Sequence, residues 1–277
     1  MPELPEVETV RRALMPALTS RRLVTVEARR PDLRFPLPRG FVRRLTGRRV
    51  RAVDRRAKYL LIRLDGDLVL IAHLGMSGRF RLFNGAAPPP DAHDHVLLTT
   101  DAGDMLRFHD PRRFGFMDLC RESEIECHPM LVSLGPEPLS SAFDGAYLAA
   151  RLAGRRSPVK TAILDQRVVA GMGNIYASES LYRARLSPRR MATTVVGRRA
   201  ARLADAIREV FTEAIDAGGS SLRDHRRPTG EVGRFQEGFA VYGRHGERCP
   251  TCAGDCPGIR HMVQSGRSTF YCARHQR

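Results

Sequence analysis

The sequence predicts an α+β fold: an N-terminal helix with an antiparallel β-sandwich, then a helical region that ends in a cysteine-bearing β-hairpin. Three observations predict it. Residues 5–18 place apolar side chains at helical spacing, residues 20–120 break into short strand-like runs, and the period turns helical again beyond residue 140. Four of the six cysteines (Cys249, Cys252, Cys256 and Cys272) fall in the last 29 residues.

Each element has a local reason. In "PEVETVRRALMPAL" (5–18), Pro5 suits a first helical turn, Glu6 and Glu8 sit near the positive helix end, and Val7, Val10, Leu14 and Leu18 make the buried stripe. "RLVTVEARR", "RRVRAVDRR", "KYLLIRL", "DLVLIAHL", "HVLLTT" and "DMLRFHD" read as strands, with Gly-Asp, Asn-Gly and Ala-Gly-Asp at the turns. "HPMLVSLGPEPLS" (128–140) has three prolines, a glycine and no period, and is read as a linker. "SAFDGAYLAARLAG", "VKTAILDQ" and "GNIYASESLYRAR" read as helices, and a long amphipathic helix runs to the Gly-Gly stop at 218–219. Residues 220–238 read as a polar, Gly-rich loop, and 239–277 as two strands carrying the cysteine cluster. The expected domains are thus 1–127, a linker 128–140, a helical domain 141–238 and a C-terminal module 239–277.

The chain has 46 Lys+Arg against 30 Asp+Glu, a net charge of +16. That excess points to a polyanionic partner, nucleic acid before an anionic membrane surface. No run of 18 apolar residues is present, which argues against a membrane span, and the acidic N-terminus does not read as a signal peptide. A cytosolic location with reduced thiols is expected, so clustered cysteines favour a metal over disulfides. Only Lys58 and Lys160 are lysines; every other basic residue is arginine. Arg cannot exchange protons near neutral pH and Lys can, so both lysines are candidates for work that needs an amine.

Other motifs carry chemistry. Cys249-x2-Cys252 and Cys272-x2-His275 are two ligand pairs with the spacing of a tetrahedral zinc site, and Cys256 is an alternative to Cys252. "QSGRSTFYC" puts Arg267 at the tip of a ribbon, where it suits a phosphate or a groove. "AGMGNIYASE" starts a helix after two glycines, and its free N–H groups with Asn174 suit a phosphate. "HLGMSGRF" and "DPRRFG" are Gly-bounded tips bearing Met76, Arg112 and Phe114, which suit wedges that enter a base stack.

"PELPEVET", "RRAKYLL", "HLGMSG", "DPRRFG", "LGPEPL", "GNIYASES" and "QSGRSTFYC", in this order along the whole chain, resemble the bacterial formamidopyrimidine-DNA glycosylases (Fpg) of the Fpg/Nei family. The resemblance implies a helix-two-turn-helix domain and a β-hairpin zinc finger holding one structural zinc ion. It implies a monomeric base-excision-repair enzyme, cytoplasmic and nucleoid-associated. Such an enzyme excises oxidised purines (8-oxoguanine, formamidopyrimidines) from double-stranded DNA and then nicks the strand by β,δ-elimination, also at abasic sites. It implies a nucleophile at Pro2, exposed once Met1 is removed, with acid/base roles for Glu3 and Lys58. Arg267 is implied at the DNA and in the elimination. Met76, Arg112 and Phe114 match the intercalating trio, and His93, Arg156, Lys160 and Asn174 match backbone-contacting positions. Residues 220–238 match the loop that closes over the extruded purine, with Arg234 where an aromatic is common. The family usually ends its ligand set in a fourth Cys, where this chain has His275.

Overall fold

The structure is a computed structural model and describes residues 1–221 and 228–277. The expected loop 220–238 therefore lies partly outside the described residues. The chain forms two compact units, residues 1–132 with 217–234, and residues 133–216 with 235–277.

In the first unit, helix α1 (Leu4–Leu18) opens on a capping box: the Glu3 backbone N–H donates to Glu6 Oε2 at 2.8 Å. Its stripe of Val7, Val10, Leu14 and Leu18 is fully buried. Strand β1 (Leu23–Ala28) and the short helix α2 (Phe41–Leu45) follow. Seven further strands complete the unit: β2 (Val50–Arg56), β3 (Tyr59–Leu64), β4 (Leu68–His73), β5 (Arg79–Asn84), β6 (Asp94–Thr100), β7 (Asp104–His109) and β8 (Phe116–Arg121). They make two four-stranded antiparallel sheets, β1-β6-β7-β5 and β2-β3-β4-β8, with one core shared by both sheets and α1. The strands read from sequence are present. β5, β8 and α2 are elements that the sequence reading did not separate from the loops around them.

Strand register builds the site. Tyr59 pairs with His73, and His73 with Phe116, so the Ala57–Lys58 turn, the end of β4 and the start of β8 share one sheet end. In the other sheet Arg79 pairs with His109. The β4–β5 and β7–β8 connections, residues 74–78 and 110–115, therefore cross between the sheets side by side. Helix α1 runs antiparallel along β2: Glu8 Oε2 accepts from Arg55 Nε at 3.1 Å, while Arg11 Nη1 donates to the Val53 carbonyl at 3.3 Å. Continuing that direction carries the N-terminus of α1 toward the Lys58 turn.

In the second unit, α3 (Gly145–Leu152) starts where Asp144 Oδ1 accepts from the Tyr147 N–H at 2.7 Å. Helices α4 (Val159–Ile163), α5 (Asn174–Arg183) and α6 (Arg198–Asp216) follow. α6 buries Leu203, Ile207, Val210 and Phe211, and the Tyr176 ring of α5 meets Phe211 edge-on at 5.4 Å. Strands β9 (Arg260–Gln264) and β10 (Arg267–Tyr271) close a hairpin whose two turn residues, Ser265 (φ 49°) and Gly266 (φ 71°), both have positive φ, as a type I′ turn requires. Among the described residues no helix is long and apolar enough to cross a membrane.

Candidate active site and cysteine centre

Pro2 and Glu3 are buried at the start of α1, Glu3 only 3% exposed. Lys58 is 6% exposed, in a turn made tight by Ala57 at φ 51°. Glu6 holds the opening of α1 and also accepts from the Ser220 N–H and Oγ, at 2.8 and 2.9 Å, fixing the entry of the 220–238 segment to the same helix start. Further along that segment, Gly233 N–H donates to Ser221 Oγ, and Arg234 is exposed with its N–H on the Ala217 carbonyl.

Beside Met1 opens a cleft of about 650 Å³, lined among others by Arg34, His73, Met76, Arg112 and Phe114. Met76 and Phe114 are 47% and 40% exposed although both are large and apolar, and Arg112 lies over the Phe114 ring at 4.7 Å. His93 is exposed, and its carbonyl accepts from the N–H of Asp110, which opens the connection bearing Arg112 and Phe114, at 3.0 Å.

His73 opens the "HLGMSG" motif, but nothing in the sequence around it marks it as a site residue. Its ring stacks on Phe116 at 5.4 Å and its Nδ1 accepts from the Gly75 N–H at 3.0 Å, which leaves the proton on Nε2. Burial first, then the positive charges of Lys58 and Arg34, lower its pKa to about 4, so the imidazole is neutral at pH 7. Because this pKa lies below the unfolded value, the unfolded chain binds the extra proton between pH 6.5 and 4, and stability falls as the solution is acidified through that window. His73→Asn keeps an acceptor near Nδ1 without a titrating ring. It is expected to lose up to about 3 kcal/mol less than wild type between pH 7 and 4, measured by urea unfolding across that range.

In the second unit, Lys160 is 1% exposed and donates to Asn174 Oδ1 (2.7 Å), the Ser268 carbonyl (2.9 Å) and Thr269 Oγ1 (2.7 Å). Asn174 Nδ2 donates to the same Ser268 carbonyl at 2.9 Å. Any phosphate contact of Lys160 is thus made from within a network that ties the start of α5 to the strand carrying Arg267. Arg156 and Arg267 are exposed. Glu179 is another group that no sequence motif marks as a site residue. It is buried in α5 and accepts from three successive N–H groups, Ala240, Val241 and Tyr242, at 2.8–3.0 Å, and burial raises its pKa despite those donors.

The cysteine centre differs from the set of Cys249, Cys252, Cys272 and His275. The sulfurs of Cys249, Cys252, Cys256 and Cys272 all lie within 4.8 Å of one another, so Cys256 joins Cys252 and His275 stays outside the cluster. The reason is local. The His275 ring packs on Tyr182 at 4.4 Å, while its backbone N–H donates to Cys272 Sγ at 3.4 Å. Cys272 stands 3.5 and 3.9 Å from Cys256 and Cys252, and none of the four is in a disulfide. A tetrahedral zinc with Zn–S near 2.3 Å puts its sulfurs about 3.8 Å apart, so the cluster fits such an ion. Removal from water, and then the adjoining sulfurs, push the Cys252 thiol up to about 12, and a cation held in the cluster would favour its thiolate.

The fold and this site define a two-unit α+β protein with a helix-two-turn-helix second unit and a four-cysteine hairpin. Residues 1–117 match the family model of the formamidopyrimidine-DNA glycosylase N-terminal domain, and residues 134–226 that of the formamidopyrimidine-DNA glycosylase H2TH domain. The chain belongs to the formamidopyrimidine-DNA glycosylase family. It is 58% identical to the formamidopyrimidine-DNA glycosylase of Rhodospirillum centenum, over the full length of both chains. Among solved structures it is similar to the MutM (Fpg) protein of Thermus thermophilus (44% identity, TM-score 0.88, covering 99% of this chain and 98% of that one). It is also similar to a Lactococcus lactis Fpg variant in complex with Fapy-dG containing DNA (32% identity, TM-score 0.91, all of both chains).

Proposed function

We propose that the protein is a bifunctional DNA glycosylase and abasic-site lyase that excises oxidised purines, 8-oxoguanine and formamidopyrimidines, from duplex DNA. The observation that carries this reading is the buried Pro2–Glu3 pair at the start of a helix directed at the Lys58 turn. Once Met1 is removed, Pro2 is a secondary amine. The helix start disfavours its ammonium form and raises the neutral fraction near pH 7. The amine attacks C1′ of the damaged nucleotide as the N-glycosyl bond breaks, and the base leaves with the bonding electrons and a proton. Glu3 delivers a proton to the opening sugar oxygen, and Lys58 bridges the leaving group and a phosphate.

The adduct is an iminium, cationic without an added proton. It draws electrons as the C2′ proton is lost and the 3′ C–O bond breaks; the 5′ C–O bond breaks in the second elimination. Arg267 contacts the DNA and assists these later steps. Met76, Arg112 and Phe114 fill the gap left by the extruded nucleotide, and His93, Arg156, Asn174 and Lys160 serve the backbone. Zinc held by the cysteine cluster would keep the Arg267 hairpin folded and take no part in bond breaking. Residues 1–127 form the catalytic domain in this reading, 128–140 the linker, 141–238 the DNA-binding domain with its closing loop, and 239–277 the zinc finger. The protein acts as a monomer at the nucleoid.

The test is borohydride trapping on duplex DNA containing 8-oxoguanine, with N-terminally processed protein. A covalent adduct that includes Pro2 is expected. Lesion-dependent binding with no adduct would leave only a DNA-binding scaffold, and a preference for oxidised pyrimidines would move the chain to the Nei branch.

A further inference from the structure

The two wedge-bearing tips are joined by a bond that the chemistry itself does not use. Ser77 Oγ donates to Asp110 Oδ1 at 2.5 Å, and the same Ser77 oxygen accepts from the Arg112 N–H at 3.2 Å. The other oxygen of Asp110, Oδ2, accepts from the Gly115 N–H at 2.8 Å, and Asp110 is fully buried. The backbone of Asp110 is held in turn: its N–H donates to the His93 carbonyl, and its carbonyl meets His95 Nε2 at 2.9 Å. Beneath this pair the two crossings touch. Gly75 has φ +61°, and a Cβ built on it would come within 2.2 Å of the Phe114 backbone. Met76 and Ser77 belong to one connection, Arg112 and Phe114 to the other, so one serine–aspartate pair couples both.

We propose that Ser77 and Asp110 are positioning residues that lock the Met76 tip and the Arg112–Phe114 tip into a single rigid wedge, so that all three side chains enter the base stack together. The inference rests on the wedge role assigned above. A wedge made of two independent tips would have to order each of them at the moment of insertion, and that cost would fall on extrusion of the damaged nucleotide. Chemistry on a nucleotide that is already unstacked would not feel it.

The test compares Ser77→Ala with Ser77→Thr, which keeps the hydroxyl. Extrusion is read by the fluorescence of 2-aminopurine placed beside the lesion, and excision by nicking. In duplex DNA, Ser77→Ala is expected to slow extrusion and excision by about 10- to 100-fold, with Ser77→Thr near wild type. Nicking of single-stranded abasic DNA by Ser77→Ala is expected to stay at the wild-type rate. Adding Ser77→Ala to Met76→Ala should cost less than the two changes summed, because both act through one wedge. Wild-type extrusion by Ser77→Ala, or an equal loss on duplex and single-stranded DNA, would overturn the proposal. Extrusion fluorescence needs no bond breaking, so it decides the coupling even where no borohydride adduct forms, and the absence of that adduct bears on the enzyme reading alone.

Discussion

Protein that keeps Met1 is expected to bind DNA containing 8-oxoguanine and to leave it uncut. With Met1 in place the Pro2 nitrogen is an amide, its lone pair is delocalised into the carbonyl, and no iminium can form. The expected loss of strand cleavage is at least roughly 10³-fold, the scale on which a covalent route disappears when its nucleophile is removed. Binding is expected to change little, because the exposed wedge residues and the Arg267 hairpin are untouched. Pro2→Gly separates amine from ring. It restores a free amine after processing, but a primary one, whose Schiff base must hold a proton to act as an electron sink; intermediate cleavage and a weaker borohydride adduct are expected. Titration curves in a gel-shift assay, run beside trapping on the same preparations, check both points. Robust cleavage by the Met1-bearing protein would remove Pro2 from the mechanism.

The parts of this site that could be read from sequence are those set by local chemistry. The stripe of Val7, Val10, Leu14 and Leu18 gave α1 because a period of 3.6 is visible without knowing what it packs on. β5 escaped notice because it follows Gly78 directly and reads as the flank of a loop tip, yet "RFRLFN" alternates, with Phe80 1% exposed and its arginine neighbours half-buried. The five residues of α2 are too few to show any period. What stayed illegible depends on contacts between distant positions. Glu6 and Ser220 are 214 residues apart, and the Lys160 network spans 109; no spacing rule links such positions. His73 was hidden for another reason. A histidine at the end of an apolar strand is ordinary, and only the neighbouring Lys58, Arg34 and Phe116 make it a neutral group in a cleft. Spacing left Cys256 only as an alternative to Cys252 and put His275 in the set, since Cys272-x2-His275 matches a zinc knuckle; only the fold shows that Cys252 and Cys256 both stand beside Cys272.

That last difference makes a sharp pair of outcomes. Cys256→Ser is expected to drop bound zinc well below one ion per chain, and His275→Gln to leave it near one, both read by metal analysis of dialysed protein. The sulfur of Cys256 stands 3.5 Å from Cys272, in the ligand group, while the His275 ring is engaged with Tyr182. Losing the Tyr182 stacking should cost only about 1 kcal/mol. Losing the metal should cost far more, because the hairpin core around Val241, Ile259 and the buried cysteines is small, and a structural zinc site supplies on the order of 10 kcal/mol of folding free energy. The consequence reaches the DNA. With β10 unfolded, Lys160 and Asn174 lose the Ser268 carbonyl, and Arg267 loses the rigid turn that presents it. Cys256→Ser should therefore weaken binding to abasic-site DNA by at least about 100-fold, the effect of losing two good charged or polar contacts of roughly 1.5 kcal/mol each, and His275→Gln by no more than a few fold. The reverse pattern, with zinc retained in Cys256→Ser and lost in His275→Gln, would return His275 to the ligand set.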